Sequence, residues 1–285
     1  MPGPPTARPP LGDHGLVEHA TSPRGAAFHP ATGPAEAEQI GRFLLAQGWA
    51  GLQLGDSLRR LAIEGVLTDE LLWWVPGAAG EPRAVALLHR DRLSLLLTSR
   101  DEAGAARALI ESHRDRLDRI STMEGQVDTS GLDEFEGFRR DLAVAPGLLA
   151  QITSGLITRP AGPQDVEQLH LIYGEVGWMR QDSAEDWRRR LREERCWVSE
   201  LDGRVIAAAR WTMSFGPWVE IGGVATHSQF RRRGAGAAVT RAAAAAALAE
   251  GRRVALRFGD PTLASLYYPL GFQPVGRERV FQRRR

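Results

Sequence analysis

Residues 219–238 contain glycines and arginines that could bind an anion, and a carboxylate that could accept a proton. Arg231, Gly234 and Gly236 stand between an apolar, strand-like run and an alanine-rich, helix-like run. A helix start offers free backbone N–H groups and the positive end of the helix dipole, and glycines let a bulky anion approach the backbone. The spacing therefore predicts a phosphate cradle; an ordinary loop with solvated arginines is the alternative.

Two common phosphate-binding motifs are excluded by single residue types. A Walker loop needs a lysine, and all 36 basic residues of this chain are arginines. A Rossmann fingerprint needs a third glycine at the position where Val239 stands. The absence of lysine from the sequence also excludes a Schiff-base lysine.

A second motif follows the first within the segment 219–272. Residues 260–272 read Asp-Pro-Thr-Leu-Ala-Ser-Leu-Tyr-Tyr-Pro-Leu-Gly-Phe. This stretch resembles the closing Asn-Pro-x-x-x-x-Leu-Tyr-x-x-x-Gly-Phe motif of the GNAT superfamily of acyl-CoA N-acyltransferases, except that Asp260 replaces the usual asparagine. Arg231, Gly234 and Gly236 match the Arg/Gln-x-x-Gly-x-Gly/Ala signature of the same family. The resemblance covers residues 155–282 and implies the α+β GNAT fold, a mixed, mostly antiparallel central sheet flanked by helices.

The resemblance implies acetyl-CoA as cosubstrate and no metal. In GNAT folds the strand before the signature separates from its neighbour, and the pantetheine arm binds the open strand edge. Gly222 and Gly223 inside the strand-like run fit a bulge or a close backbone approach, although a sheet can also tolerate such glycines. The resemblance implies the following cofactor-binding residues: Val224, Ala225, Thr226, Arg231, Arg232, Arg233, Gly234, Ala235, Gly236, Ala237, Asp260 and Tyr267.

Transfer of an acyl group to an amine needs a neutral amine and a protonated leaving thiol, so a base and an acid are expected. Glu220 precedes Arg231 by eleven residues, which is the spacing of the general-base glutamate in some family members. A solvated strand glutamate is the alternative. Tyr267 matches the family's tyrosine near the thioester sulfur, and a phenol can protonate a thiolate. Packing of the ring is the alternative, and Tyr268 is the second candidate for the acid.

The second half of the chain has the elements that must position these residues. Asp202 and Gly203 predict a two-residue hairpin turn, and Ser183 with Asp186 predicts a capping box. Strand patterns cover 156–159, 196–201, 205–213, 218–226, 254–258 and 275–281. Helix patterns cover a stretch opened by Pro163, then 183–194, 235–250 and a stretch up to 270.

The first half predicts the same order of elements. Helix patterns at 35–47, 56–63 and 102–113 flank or follow strand patterns at 71–75, 84–89 and 93–98. Two GNAT copies in tandem are therefore expected, with two unrelated α+β halves as the alternative. Asp101 and Glu102 would oppose a pyrophosphate at the first-half helix start, so that copy is expected to have lost its cofactor. The predicted domains are a disordered proline-rich leader at 1–33, a degenerate GNAT-like domain at 34–150 and a catalytic domain at 151–285.

Composition narrows the classes of partner. The net charge of +1 gives no global attraction to nucleic acid or to an anionic membrane, and no apolar run is long enough to span a bilayer. The single cysteine, Cys196, excludes an intramolecular disulfide and fits a cytoplasmic protein. We expect a monomer or homodimer acting on a small-molecule or peptide amine. A non-catalytic acyl-CoA sensor or interaction protein on the same fold is the alternative.

Overall fold

The structure is a computed structural model that describes residues 26–65, 71–128, 130–147, 149–150, 155–176 and 183–284. Most of the predicted leader therefore lies outside the described residues. None of the helices in the described part is both long and apolar enough to cross a membrane.

The first half of the chain contributes six strands and three α-helices. They are β1 (His29–Pro30), α1 (Pro34–Ala46), α2 (Leu52–Ile63), β2 (Leu72–Pro76), β3 (Pro82–His89), β4 (Arg92–Leu97), α3 (Ala103–His113), β5 (Arg119–Met123) and β6 (Phe135–Ala145). The predicted helices and the three-strand meander are confirmed to within a few residues. The sequence patterns missed three strands, β1, β5 and β6. The two residues of β1 lie within the segment predicted to be a disordered leader, β5 is short, and most of the first half of β6 is exposed and polar.

The second half contributes six more strands and four α-helices. They are β7 (Ile157–Pro160), α4 (Val166–Val176), α5 (Ala184–Glu193), β8 (Cys196–Leu201), β9 (Arg204–Phe215), β10 (Trp218–Thr226), α6 (Ala235–Ala249), β11 (Arg253–Phe258), α7 (Ala264–Tyr267) and β12 (Gln273–Arg283). Pro163 opens a 3-10 turn before α4, and the helix predicted to reach residue 270 is shorter, because a second 3-10 turn follows α7.

Two local turn signals are confirmed. Asp202 and Gly203 have φ angles of 51° and 75°, the left-handed pair that a type I′ hairpin turn needs. Ser183 caps α5, because its Oγ accepts the backbone N–H of Asp186 at 3.1 Å. Both features depend on neighbouring residues alone, which is why the sequence could predict them.

All twelve strands form one mixed sheet in the order β1-β2-β3-β4-β5-β12-β6-β11-β10-β9-β8-β7. The neighbours β4 and β5 are parallel, as are β10 and β11, whereas the other neighbouring pairs are antiparallel. Each strand of the first half has a counterpart in the second half, from β1 and β7 to β6 and β12. When every strand is replaced by its counterpart, the order read from one edge is the order read from the other edge. The last strand of each half, β6 or β12, is inserted beside the parallel pair of the other half. Each half therefore completes the sheet of the other.

Each half buries apolar residues on both sides of its strands. In the first half, Trp73 and Val75 face the core beneath α3, whereas Leu72 and Trp74 face the core beneath α1 and α2. In the second half, α6 lies on the sheet through small, fully buried residues such as Ala243 and Ala247. Small side chains let the helix approach the strands closely, which places its N-terminus beside the end of β10.

The two halves are joined by α2, which packs across β9 of the second half. Asp56 is buried and accepts the backbone N–H of Ser214 at 3.0 Å. Arg60 donates to the backbone oxygen of Thr212 at 3.1 Å. A Cβ on Gly55 would stand 2.1 Å from the ring of Phe215, so glycine is required for this approach. The first half therefore forms a wall beside the hairpin of β9 and β10.

Candidate active site

A gap opens between β10 and β11 in the middle of the sheet. Their parallel pairing runs from Trp218 with Arg253 to Ile221 with Leu256 and ends there. Residues 222–226 continue β10 beyond that point, paired on the β9 side only. This segment contains the three predicted pantetheine contacts, Val224, Ala225 and Thr226. Its edge toward β11 is therefore an open strand edge onto which an extended amide could add.

The predicted bulge lies within this segment. Gly222 pairs with Arg210 and Ala225 with Ala208, so β10 has one residue more than β9 over the same span. Gly223 has a φ of 57°, and a Cβ there would lie 2.9 Å from Nε of Arg210. The phenol of Tyr173 donates a hydrogen bond to the carbonyl of Gly223. Glycine is thus required at 223 both by backbone conformation and by the side chains packed against it.

The arginine and glycine signature forms a turn at the start of α6. Gly234 precedes the first helical residue, Ala235, with a left-handed φ of 81°. The side chains of Arg231, Arg232 and Arg233 are exposed, and Nε of Arg231 donates to the backbone oxygen of Thr226 at 3.4 Å. The first-turn N–H groups of α6 have no acceptor within the helix. Exposed cations around free N–H groups are the environment that a pyrophosphate requires.

Gly236 links this turn to the gap. A Cβ at 236 would lie 3.2 Å from Oγ1 of Thr226, 3.7 Å from a methyl of Val224 and 3.9 Å from a methyl of Leu266. The start of α6, the end of β10 and the helix α7 therefore converge on one small space. Ala235 and Ala237 flank Gly236 with small side chains, buried and half-buried respectively. The donor set and the space fit an acyl-CoA, whose pyrophosphate would bind the turn and whose arm would bind residues 224–226.

Tyr267 lies at the end of α7 with its ring against Phe258 at 5.3 Å and Phe272 at 6.2 Å between centroids. It is 6% exposed, whereas Tyr268 is 38% exposed. Burial raises the pKa of Tyr267 to about 12. The phenol therefore remains protonated through neutral pH and can donate a hydrogen bond.

Asp260 caps the 3-10 turn that precedes α7. Its Oδ1 accepts the backbone N–H of Thr262 at 2.9 Å and the Thr262 hydroxyl at 2.7 Å. These hydrogen bonds hold the pKa of the carboxyl below its usual range. The observed contacts of Asp260 thus shape the turn that carries Tyr267; a contact with a cofactor stays a prediction.

Glu220 lies at a buried charged junction. Its Oε1 accepts the Thr212 hydroxyl at 2.8 Å, and its Oε2 pairs with Nε of Arg257 at 2.6 Å. Arg257 also lies 3.5 Å from Glu278 and donates to the side-chain oxygen of Gln53 on α2. Burial lowers the pKa of Arg257 and the two carboxylates raise it, and the net shift is upward. Glu220 is therefore part of a network that crosses between the halves.

A cavity of about 30 Å³ lies at this network. Its size admits about two water molecules. Both halves line it: Trp49 and Gln53 come from the first half, and Glu220, Arg257 and Glu278 come from the second. The sequence predicted Glu220 but not its partners, because no local pattern marks Gln53 or Arg257. Tyr173 was missed for the same reason, since its contact with Gly223 depends on how α4 packs on the sheet.

Known proteins resemble this chain in part of its sequence and in its fold. Residues 164–272 match the family model described as the acetyltransferase (GNAT) family. Comparison with curated proteins found no match. A GCN5-related N-acetyltransferase from Sphaerobacter thermophilus has a similar structure, with 18% identity, a TM-score of 0.61 and coverage of 92% of this chain and 96% of that one.

Two further solved structures are similar over most of their length. An acetyltransferase of the GNAT family from Colwellia psychrerythraea is 10% identical, has a TM-score of 0.58 and covers 90% of this chain and 99% of its own. A tandem GNAT protein from the clavulanic acid biosynthesis pathway is 16% identical, has a TM-score of 0.50 and covers 90% of this chain and 98% of its own. At such identities structural likeness shows the fold alone.

The family match and the fold agree with the predicted family and fold class. Residues 164–272, in the second half of the chain, match the GNAT family of acetyltransferases, and the chain shares its fold with solved GNAT structures. The twelve-stranded sheet is compatible with two copies of the fold.

Proposed function

We propose that the protein is an N-acetyltransferase that transfers an acetyl group from acetyl-CoA to an amine by direct attack in a ternary complex. One observation carries the proposal: the β10–β11 pairing ends opposite the glycine turn that starts α6. An open strand edge and an anion cradle thus face the same gap, which Gly236 leaves free of a side chain. Acetyl-CoA would supply the activated acyl thioester, held by residues 224–226 and by the turn at 231–237.

In the proposed reaction the amine nitrogen forms a bond to the acyl carbon and the carbon–sulfur bond breaks. The amine loses a proton, and the departing thiolate gains one. Tyr267 is proposed as the donor to the sulfur, because its buried phenol stays protonated at neutral pH. Glu220 is proposed as the acceptor of the amine proton, directly or through water in the adjoining cavity. Glu220 is also held in place by its ion pair with Arg257.

The first half is proposed to act as a scaffold and as a wall of the acceptor side. Its Gln53 receives a hydrogen bond from Arg257, and Arg257 in turn pairs with Glu220. We propose the boundaries 34–150 for this degenerate copy and 151–285 for the catalytic copy, with β6 and β12 exchanged between them. The acceptor is a small-molecule or peptide amine, the chain acts as a monomer or homodimer, and its single buried thiol suits the cytoplasm.

A non-catalytic acyl-CoA sensor is the second candidate, and the Glu220 network favours it. A carboxylate held by both Thr212 and Arg257 is well placed to stabilise the junction of the halves, whether or not it takes part in chemistry. A sensor would bind acetyl-CoA without turnover.

Calorimetric titration with acetyl-CoA separates these possibilities when it is combined with a thiol-release assay over a panel of amines. Binding together with amine-dependent thiol release is expected for the enzyme. Binding without release from any amine would favour the sensor, and absence of binding by the folded protein would remove both.

A further inference from the structure

The first half contains a gap of the same kind between β4 and β5. Their parallel pairing covers 92–94 with 119–121 and ends there, as the β10–β11 pairing ends at Ile221. Leu97 follows the last paired residue, Ser94, by three positions, and Val224 follows Ile221 by three positions. Leu97 therefore lies in the open segment of β4 as Val224 lies in the open segment of β10, which contains one extra residue at its bulge.

A side chain of the protein itself fills the first-half gap. The backbone N–H of Leu97 donates to Oε1 of Gln126 at 3.2 Å, and Nε2 of Gln126 donates to the backbone oxygen of Leu97 at 2.5 Å. The Thr122 hydroxyl lies 3.4 Å from the same Oε1. One side-chain amide thus pairs with both backbone groups of an open edge, as an added strand or an extended ligand amide would.

The start of the first-half helix is occupied in a similar way. The backbone N–H of Ser99 donates to Oε2 of Glu102 at 3.0 Å, and the N–H of Asp101 donates to Oγ of Ser99 at 3.1 Å. Glu102 is fully buried, and its other oxygen lies 2.6 Å from Nη2 of Arg83. A carboxylate with its own arginine therefore stands where the second half presents exposed arginines and glycines.

We propose that the first half is a self-ligated copy, in which the Gln126 amide and the Glu102 carboxylate occupy the positions that the arm and the phosphates of an acyl-CoA would take. This half holds its strands apart and its helix start in place without a cofactor, and the chain has a single acyl-CoA site. Only the comparison with Val224 rests on the proposed function; the contacts of Gln126 exist without it.

Residue-resolved hydrogen exchange of the full chain, measured without acyl-CoA, tests the proposal. The Leu97 amide should exchange slowly in the unmodified protein and roughly tenfold faster in Gln126→Ala, because a local hydrogen bond is lost. Gln126→Asn should have the same effect, since its amide is one methylene too short, and it covers the case in which Gln126→Ala folds poorly. Gln273→Ala, which removes an exposed glutamine from β12, should leave Leu97 unchanged.

Slow exchange at Leu97 in a folded Gln126 variant would overturn the proposal, with the amides of β3 serving as the internal check on folding. Two molecules of acetyl-CoA bound per chain would overturn it as well. Protection of residues 222–226 on addition of acetyl-CoA tests the proposed function separately. The Leu97 result therefore stands whether or not the second half binds the cofactor.

Discussion

Tyr173 and Gly223 are joined by a hydrogen bond that holds the bulge of β10 in place: the phenol on α4 donates to the carbonyl at the left-handed turn of the strand. Tyr173 is fully buried and stacks on Trp187 with ring centroids 4.6 Å apart. Burial raises its pKa far above the usual value for a phenol, so it is always a donor. The shape of the strand edge at the candidate acyl-CoA site thus depends on a side chain from α4.

Tyr173→Phe should keep the stacked ring and lose the hydrogen bonds of the phenol, to the Gly223 carbonyl and with Arg210. We expect the free energy of unfolding to fall by about 1 to 3 kcal/mol, because the Gly223 carbonyl loses its donor. Acetyl-CoA affinity should also fall, since the bulge sets the position of Val224. Denaturant unfolding and calorimetry measure the two effects. Unchanged affinity in a destabilised variant would show that Tyr173 serves the fold alone.

Gly236→Trp should abolish acyl-CoA binding while leaving the fold intact. The indole would extend into the space where the start of α6 meets Thr226 and Val224, which is the predicted pyrophosphate site. Gly104→Trp is the matched control on α3, where a Cβ would meet no atom within 4 Å, and it should leave affinity unchanged. Calorimetry measures the acetyl-CoA affinity of the two variants, and circular dichroism checks that both are folded. Equal affinity in the two variants would contradict the assignment of the phosphate cradle.

Tyr267→Phe should retain acetyl-CoA affinity, because the ring still packs between Phe258 and Phe272. The turnover number should fall by roughly 10² to 10⁴, the usual contribution of one general acid. Steady-state kinetics under conditions where the chemical step limits the rate provide the measurement. Turnover equal to that of the unmodified protein would assign the proton to Tyr268 or to water.

Glu220→Gln should lower the rate most at low pH, where the amine acceptor is largely protonated and depends on a base. Partial recovery is expected at high pH as free amine becomes abundant. The pH profile of kcat/KM distinguishes this from a structural effect, which would lower the rate evenly at all pH values. A profile of unchanged shape would remove Glu220 as the base and leave it as the partner of Arg257.

Asp165→Asn should destabilise the second half at neutral pH but much less in acid. Burial raises the pKa of Asp165, but hydrogen bonds from Arg159 and Gly162 outweigh it and the net shift is downward. A depressed pKa contributes stability above the unfolded value of about 4 that is lost as pH falls below it. Loss of the buried pair should cost about 3 kcal/mol at pH 7. Equal unfolding midpoints of both proteins at pH 7 would contradict this.

Local sequence signals determined much of the candidate site. The glycines of the turn, the Asp202-Gly203 hairpin and the Ser183 cap depend on the conformational preferences of a few neighbouring residues, which are the same in any context. The same signals predicted the order of β10, α6 and α7 along the chain. They therefore also predicted which elements carry the two motifs.

Only the tertiary structure decided what lies across from those residues. Glu220 meets Arg257 because the parallel register of β10 and β11 pairs Glu220 with Ala255, two residues before Arg257 on the same face of the sheet. Gln53 joins them because α2 packs across the halves. The exchange of β6 and β12 could not be predicted, because the exposed, polar start of β6 has no apolar periodicity, and its strand partners come from distant parts of the chain. Pairing between distant backbone segments leaves little trace in local composition, whereas turns and caps are encoded where they occur.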